Sequence, residues 1–398
     1  MGLSGCAAVL AACSAPSAPA PTAAPAAAPT AAIVPKVAPT AASAPTAAQA
    51  AAGAATKDAS AWQAEWDQLV KAAEAEGSIS IVTRIGDVYR NAIMAFEEKF
   101  PAIHIEHQGM IALNFGPRVI AERKAGQYSW DVLLSTATTP LSVFRQEGIL
   151  DPVRPLMFRS DVLDDSVWQE GFEGGWRDND KKWAYAYGVT LNRSIWINTD
   201  MVKDDEIKTT LDLLDPKWKG KIVAADPRIG GFGNMVTIMR LKYGDDVVAK
   251  LYKDQEVVVS QENRQTTEWL VRGRYPVGVQ AVNDQVLQDF RAQGIGNNVK
   301  HLPIEDADYV AATGNIVFAF NKAPHPNAAK LFVNWLLTQE GQTFWCERTQ
   351  QNSRRIGVPP GDPQFLPTPG KHYYEMENEE MLPIIAKTNE LAKAALEQ

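Results

Sequence analysis

From Ser14 onward the chain runs for 43 residues in little but Ala, Pro, Thr and Ser, with eight prolines and one charge, Lys36. A segment of that composition lacks the apolar density to offset the entropy of ordering it, so any fold is confined to the residues beyond it. Linkers of this kind hold polyproline II character and reach roughly 40 Å on average, about 130 Å when extended. The stretch 14–58 is therefore read as a disordered tether. The remaining body, Lys57 to Gln398, is too long for one ordinary core and natural for two lobes.

Ahead of the tether, Leu10-Ala11-Ala12-Cys13 closes a short apolar run. Small residues before a thiol suit the narrow cleft of a signal peptidase. The run resembles a bacterial lipoprotein lipobox, which makes 1–13 a signal segment and Cys13 the lipidated residue. Leu3-Ser4-Gly5-Cys6 fits the same pattern further upstream. Positions 1–10 hold no positively charged n-region, so a longer leader is expected before the written start. A transmembrane helix needs about twenty apolar residues, more than this run offers. The resemblance implies a lipid anchor at the membrane surface and an extracytoplasmic location, periplasmic or cell-surface.

The body carries 38 Lys and Arg against 47 Asp and Glu, a net charge of −9, which is not a nucleic-acid surface. With Cys6 cleaved off and Cys13 lipidated, Cys346 stands alone, expected as a packed small hydrophobe. No cofactor is implied, and a monomer is expected.

Strands alternate with amphipathic helices from the start of the body: Ile79 to Thr83, a helix from Asp87 to Phe100, then Ile103 to Glu106. Val88, Ala92, Ile93, Phe96 and Phe100 recur at three- and four-residue spacing, and Asp87 is placed to cap the helix. A second helix over 116–126 leads to the strand Val132-Leu133-Leu134, and Thr139-Pro140 opens another helix. The pattern restarts after residue 200. The polar segment 213–221 feeds the strand 222–225, and helices near 234–243, 246–253 and 266–272 alternate with strands at 257–259 and 276–279. The chain then returns through 317–320 to two helices and a last one over 381–396. The expectation is an α/β protein of two Rossmann-like lobes, 60–190 with 310–398 and 191–309, joined by a hinge that the chain crosses twice.

Three stretches carry a family resemblance: LLDPKWKGK at 213–221, APHPNAAKLFVNWLL at 323–337 with Gln339-Glu340-Gly341-Gln342, and AGQYSWDVLL at 125–134. The body resembles the extracellular solute-binding proteins of ABC importers, type II fold, in the branch that includes ferric-ion, phosphonate and other small-anion binders. The resemblance implies a solute held between two lobes and delivered to an ABC permease in the cytoplasmic membrane.

Ligands of open α/β sheets bind at strand C-termini. Four loops there are candidates. Arg84 and Thr136 follow the first and third strands. In the second lobe Arg228, Gly230, Gly231 and Phe232 lie between a strand and a helix, where glycine exposes backbone N–H groups to an anion. Asn283 and Asp284 follow the strand 276–279, with Asn263 and Arg264 nearby in family order. Each has a plainer reading. Arg84 and Arg264 serve equally as salt-bridged surface residues, Gly230-Gly231 as a tight turn, and Asp284 as a helix cap. Trp183, Tyr185 and Tyr187 alternate at period two and either fill a strand face or line the hinge; Tyr187 is the one carried forward as a cleft residue.

Ferric binders of this branch use a histidine, an acidic residue and an adjacent tyrosine pair. The matching positions here are near Ile85-Gly86, at Thr136 and at Asn283-Asp284, so no such ligand set lines up. Tyr373-Tyr374 falls in the C-terminal extension and reads as packing. The expected solute is a small anion, a carboxylate, phosphonate or phosphate ester; ferric iron or another metal is the alternative within the fold, and a lipid-anchored ligand sensor for a membrane receptor is the alternative in role. An enzyme is not expected. His104 and His107 fall on opposite faces of a strand, His301, His325 and His372 stand apart in sequence, and no nucleophile elbow or phosphate-loop lysine motif occurs.

Overall fold

In the computed structural model residues 47–110, 112–228 and 231–397 are described, with side chains from Trp62 onward apart from 112–114. Helix α1 (Ala47–Glu76) opens this part and starts inside the stretch assigned to the tether. The last proline of that stretch is Pro45, and the Ala-rich segment beyond it has high helix propensity. No helix among the described residues is long and apolar enough to cross a membrane.

The first sheet is built from β1 (Ser78–Thr83), α2 (Asp87–Lys99), β2 (His104–Gly109), α3 (Ala112–Lys124), β3 (Val132–Ser135), β4 (Leu150–Asp151), the short helix α4 (Ser160–Leu163) and β5 (Tyr185–Ala186). Its order is β2-β1-β3-β13-β4, with β5 also on β13 (Ile316–Phe320). Strands β1, β2 and β3 run parallel, and β13 runs against β3 with Ile316 opposite Ser135. The expected stripe of α2 faces this sheet through Ala92, Ile93 and Phe96, whereas Val88 is 44% exposed. Asp87 does not cap the helix. Gly86 occupies that position at φ 140°, a conformation L-residues rarely adopt, and Asp87 is the first helical residue. Phe96 packs 4.9 to 5.4 Å, centroid to centroid, from Phe100, Phe332 and Trp335, so each ring contributes the roughly 1.5–3 kcal/mol of a fully buried apolar side chain.

Between the sheets lies a three-stranded ribbon, order β14-β12-β6. The chain leaves the first sheet through β6 (Thr190–Asn192) and returns through β12 (Tyr309–Ala311), and these two antiparallel strands are the expected hinge crossings. The second sheet, order β11-β7-β10-β8-β9, is formed by β7 (Ile195–Asn198), β8 (Ile222–Ala225), α5 (Asn234–Tyr243), α6 (Asp246–Ala249), β9 (Val258–Ser260), α7 (Asn263–Val271), β10 (Val277–Val279), α8 (Asp284–Ala292) and β11 (Val299–His301). Strands β8, β9 and β10 are parallel; β7 opposes β10 and β11 opposes β7.

After β13 come α9 (Pro326–Leu336) and α10 (Gln339–Thr349), both packed on the first sheet's core. The chain then enters the ribbon a third time as β14 (Tyr374–Glu375), parallel to β12, and ends in α11 (Met381–Leu396). Of the stretch 310–398 expected with the first lobe, β13, α9 and α10 lie with the first sheet and the end of α11 packs on the second. Ala392 and Ala395 of α11 are buried in the second sheet's core beside Met239, Val248 and Leu251. The Arg240 guanidinium in α5 donates to the Ile384 carbonyl at 3.0 Å and to the Thr388 hydroxyl at 3.1 Å. Small residues along one face of α11 allow this close approach, which the helix's own periodicity does not direct to either lobe.

Candidate functional site

Strand direction brings the candidate loops to the hinge. In the first sheet the C-terminal ends of β1 and β3 lie beside the start of β13, which is where the ribbon strand β12 hands over the chain. In the second sheet the C-terminal end of β10 lies beside the start of β7, with Gln280 N–H donating to the Ser194 carbonyl at 2.6 Å. Both sheets therefore present their strand-end loops on the side where the hinge leaves them, the position in which open α/β sheets bind ligands.

On the first sheet, Arg84 is exposed and donates from Nη1 to the Thr313 carbonyl at 2.8 Å, with its guanidinium 5.6 Å from the Tyr89 ring centroid. Thr136 is half-buried after β3. Beneath them a cavity of about 10 Å³, room for one water-sized group, is lined by Val82, Thr83, Met110, Phe115, Ser135 and Phe144 among others. Tyr187 is not part of this surface. It is fully buried against Trp345, 5.4 Å between centroids, and burial drives its phenol well above the usual range. Tyr185 is likewise buried, stacked on Phe172 at 4.8 Å. The period-two aromatics thus fill the core face, as alternation on a covered strand requires.

On the second sheet the glycine loop is partly committed. Gly230 lies outside the described residues, as does Cys13. Gly231 is exposed at φ 90°, and its carbonyl accepts from Gln280 Nε2 at 3.1 Å and from the Tyr309 hydroxyl at 3.3 Å. Gln280 Oε1 accepts from the Met235 N–H at 3.3 Å, and the Asn234 N–H donates to Gly231 at 3.4 Å, so two N–H groups opening α5 already have partners. Phe232 is half-buried.

Arg228 is forked onto a neighbouring carboxylate. Its Nε and Nη2 donate to the two oxygens of Asp226 at 2.8 and 2.7 Å, and its own N–H reaches the same carboxylate at 3.0 Å. That fork holds Asp226 well below the usual carboxylate range, at about 2. Arg228, expected as a ligand residue, thus has Nε and Nη2 committed to the carboxylate two residues earlier.

Asn263 and Asn283 meet through Thr267, whose hydroxyl donates to the Asn263 carbonyl at 2.7 Å and accepts from the Asn283 N–H at 3.0 Å. Asn283, not Asp284, caps α8 by accepting from the Val286 N–H at 3.1 Å. Asp284 is paired with Arg193 Nη2 at 2.5 Å. Arg193, in the turn between β6 and β7, carries no sequence signal that marks it as a site residue; it also lies 4.5 Å from the Phe365 ring centroid. Arg264 is exposed, 5.3 Å from the Phe290 ring centroid. Among the described residues neither Arg84 nor Arg264 has a carboxylate within 4.0 Å.

His325 is held by buried Asp131 at 2.8 Å and His301 by Asp308 at 2.9 Å, so these histidines are paired rather than isolated. Among the described residues no Ser, Thr or Cys side chain bonds to either ring, and no group of three His, Cys, Asp or Glu side chains could hold a metal ion. Of Tyr373-Tyr374, read as packing, Tyr373 is half-buried and Tyr374 is 43% exposed on β14 beside the hinge strand. Cys346 is free and buried, its thiol pushed up to about 12 by burial.

Two α/β sheets joined by a strand ribbon, with strand-end loops turned toward it, define a two-lobed solute-binding protein of type II topology. The chain belongs to the bacterial extracellular solute-binding protein family, whose pattern matches residues 95–343. No curated protein matches it. Among solved structures it is similar to the Trichodesmium IdiA (FutA) protein in complex with iron and citrate, at 17% identity over 80% of this chain and 99% of that one, TM-score 0.61. Iron-bound HitA from Pseudomonas aeruginosa gives 16% identity over 80% and 99%, TM-score 0.61. The periplasmic binding protein AfuA from Actinobacillus pleuropneumoniae, with fructose-6-phosphate bound, gives 19% over 81% and 97%, TM-score 0.55. At these identities the likeness speaks to the fold alone. The chain is thus an extracellular solute-binding protein of this family.

Proposed function

We propose that the chain captures a small organic or phosphate-type anion between its two sheets and hands it to an ABC permease as a monomer, while Cys13 and the tether hold it at the outer face of the membrane. The observation that carries the anion reading is the pair Arg84 and Arg264: exposed arginines, one in the loop after β1 of the first sheet and one in the first turn of α7 after β9 of the second, neither engaged by a carboxylate among the described residues. Thr136, after β3 of the same sheet as Arg84, adds a hydroxyl donor. The similar proteins hold both iron and organic anions, citrate in one and fructose-6-phosphate in another.

A thermal-shift screen of the full chain against carboxylates, phosphonates, sugar phosphates and ferric or divalent metals tests this. A ligand at 100-fold its dissociation constant stabilises by about 2.7 kcal/mol. Stabilisation by anions that is lost in Arg84→Ala supports the reading. Stabilisation by ferric ion without any anion sinks it and moves attention to Asp284 and the tyrosines beside the hinge.

A further inference from the structure

The turn that delivers β12 into β13 is unusual in its conformation and in what holds it. Thr313 has φ 53° and Gly314 φ 90°, and the Asn315 N–H donates to the Ala312 carbonyl at 3.1 Å, so 312–315 makes a reversal with two successive left-handed residues. A β-branched residue adopts that conformation only when its surroundings impose it. Here both backbone groups of Thr313 are taken by side chains from elsewhere. Its N–H donates to Glu377 Oε2 at 2.9 Å, and its carbonyl accepts from Arg84 Nη1 at 2.8 Å. Gly314 leaves room for the arginine stem, since a Cβ there would sit 2.4 Å from Arg84 Cδ. From the other side, the Thr83 hydroxyl donates to the Arg84 carbonyl at 2.8 Å.

We propose that Glu377 is a positioning residue for solute capture: by holding Thr313 it sets where Arg84 waits at the edge of the cleft, and its charge is coupled to that of the anion Arg84 takes. This rests on the reading of Arg84 as an anion ligand. Glu377 faces Glu375 of β14, Arg177 from the loop before β5, the Tyr309 phenol of β12, and the N–H groups of Ala312 and Thr313. Glu375 is already paired with Arg177 at 3.0 Å. Burial, with the Glu375 carboxylate second, pushes the Glu377 carboxyl up to about 7. Ionised, Glu377 holds the Thr313 N–H and adds a negative charge behind the turn whose carbonyl Arg84 grips, and that charge opposes an anion at the arginine. Protonated, it still accepts from Thr313 but leaves the arginine's charge to the solute. Anion binding is then linked to proton uptake and is tighter at lower pH.

Sulfate, which does not titrate between pH 6 and 8, is the probe. With the full chain, calorimetric affinity for sulfate is expected to fall by up to about tenfold from pH 6 to pH 8. Glu377→Gln keeps an oxygen for Thr313 and removes the charge, so it should flatten that slope while preserving the affinity at pH 6. Glu377→Ala loses the acceptor and should weaken binding at both. A slope that persists in Glu377→Gln overturns the proposal. A second arm needs no ligand: unfolding temperatures at pH 8 for Arg84→Ala, Glu377→Gln and the double variant. Shifts that are non-additive support positioning through Thr313, and additive shifts overturn it. A wild-type chain that binds no anion in the screen while the cycle stays non-additive removes the anion reading and leaves the positioning of Arg84 standing.

Discussion

Three arginines that come after strands, Arg84, Arg228 and Arg264, look alike in the sequence and differ in the structure by what already touches them. Arg228 belongs to Asp226, a pairing not among the expectations from the sequence although its signal is local: Asp226-Pro227-Arg228 places a carboxylate where it accepts from the N–H two residues on, a turn that also brings the guanidinium back. Arg84 and Arg264 sit on aromatic rings, contacts made by residues close in space whose pairing no spacing rule announces. Replacing either Arg84 or Arg264 by Ala should weaken anion binding by about 1.5–3 kcal/mol, read by calorimetry, and a melt should show little change for Arg264→Ala but a lower unfolding temperature for Arg84→Ala, which loses its bond to the Thr313 carbonyl. Arg228→Ala should leave affinity intact and cost stability, because it strips buried Asp226 of its counter-charge. The same pair sets a pH dependence. Asp226 has a folded pKa depressed to about 2, so its contribution is present above the ordinary carboxylate value near 4 and is lost as pH falls through about 2. Acid unfolding measured between pH 5 and 2 should therefore be shallower in Arg228→Ala than in the wild type; superimposable curves would mean the pair contributes nothing.

At the scale of elements, what was legible tracks the length and burial of each. β8 and α5 match the expected 222–225 and 234–243, and α11 matches 381–396, because each shows a sharp change from glycine or polar turn residues to a run with one period. The ribbon strands β6, β12 and β14 are three, three and two residues long, too short to display any period, so the sequence announces the hinge through the chain's return and not through the strands themselves. The destination of α11 was illegible for a different reason. Its buried alanines fit any close-packed face, and only the tertiary partners, Arg240 and the core around Met239 and Leu251, decide which. A chain truncated before Met381 should uncover that core. It is expected to bind an apolar dye and to melt at lower temperature, with the loss concentrated in the second sheet, which hydrogen exchange on 234–254 would read directly. Unchanged protection there would show that α11 merely rests on the surface.

For the molecule as a whole, function turns on the difference between two arrangements of the lobes. Arg84 and Arg264 belong to different sheets, and a solute that contacts both is held only when the loops close on it; its binding energy in excess of the one-lobe contacts is what shifts the population toward the closed form. The ribbon sets how that motion can occur. With β6 and β12 paired and β14 alongside, three short strands must bend together, and α11 carries the third from the ribbon into the second lobe's core. On the proposed function, closure is expected as a hinge motion of this ribbon rather than a shear between packed helices, with the Thr313-Gly314 turn, held by Glu377 and Arg84, moving as a unit with the first sheet. Small-angle scattering of the full chain should show the body's radius of gyration decreasing when the anion found by the screen is added, and no decrease in Arg84→Ala at a concentration that still saturates it. Saturation of the wild type without compaction would mean that the solute binds one lobe only, and the permease would then have to recognise the ligand itself rather than the closed surface.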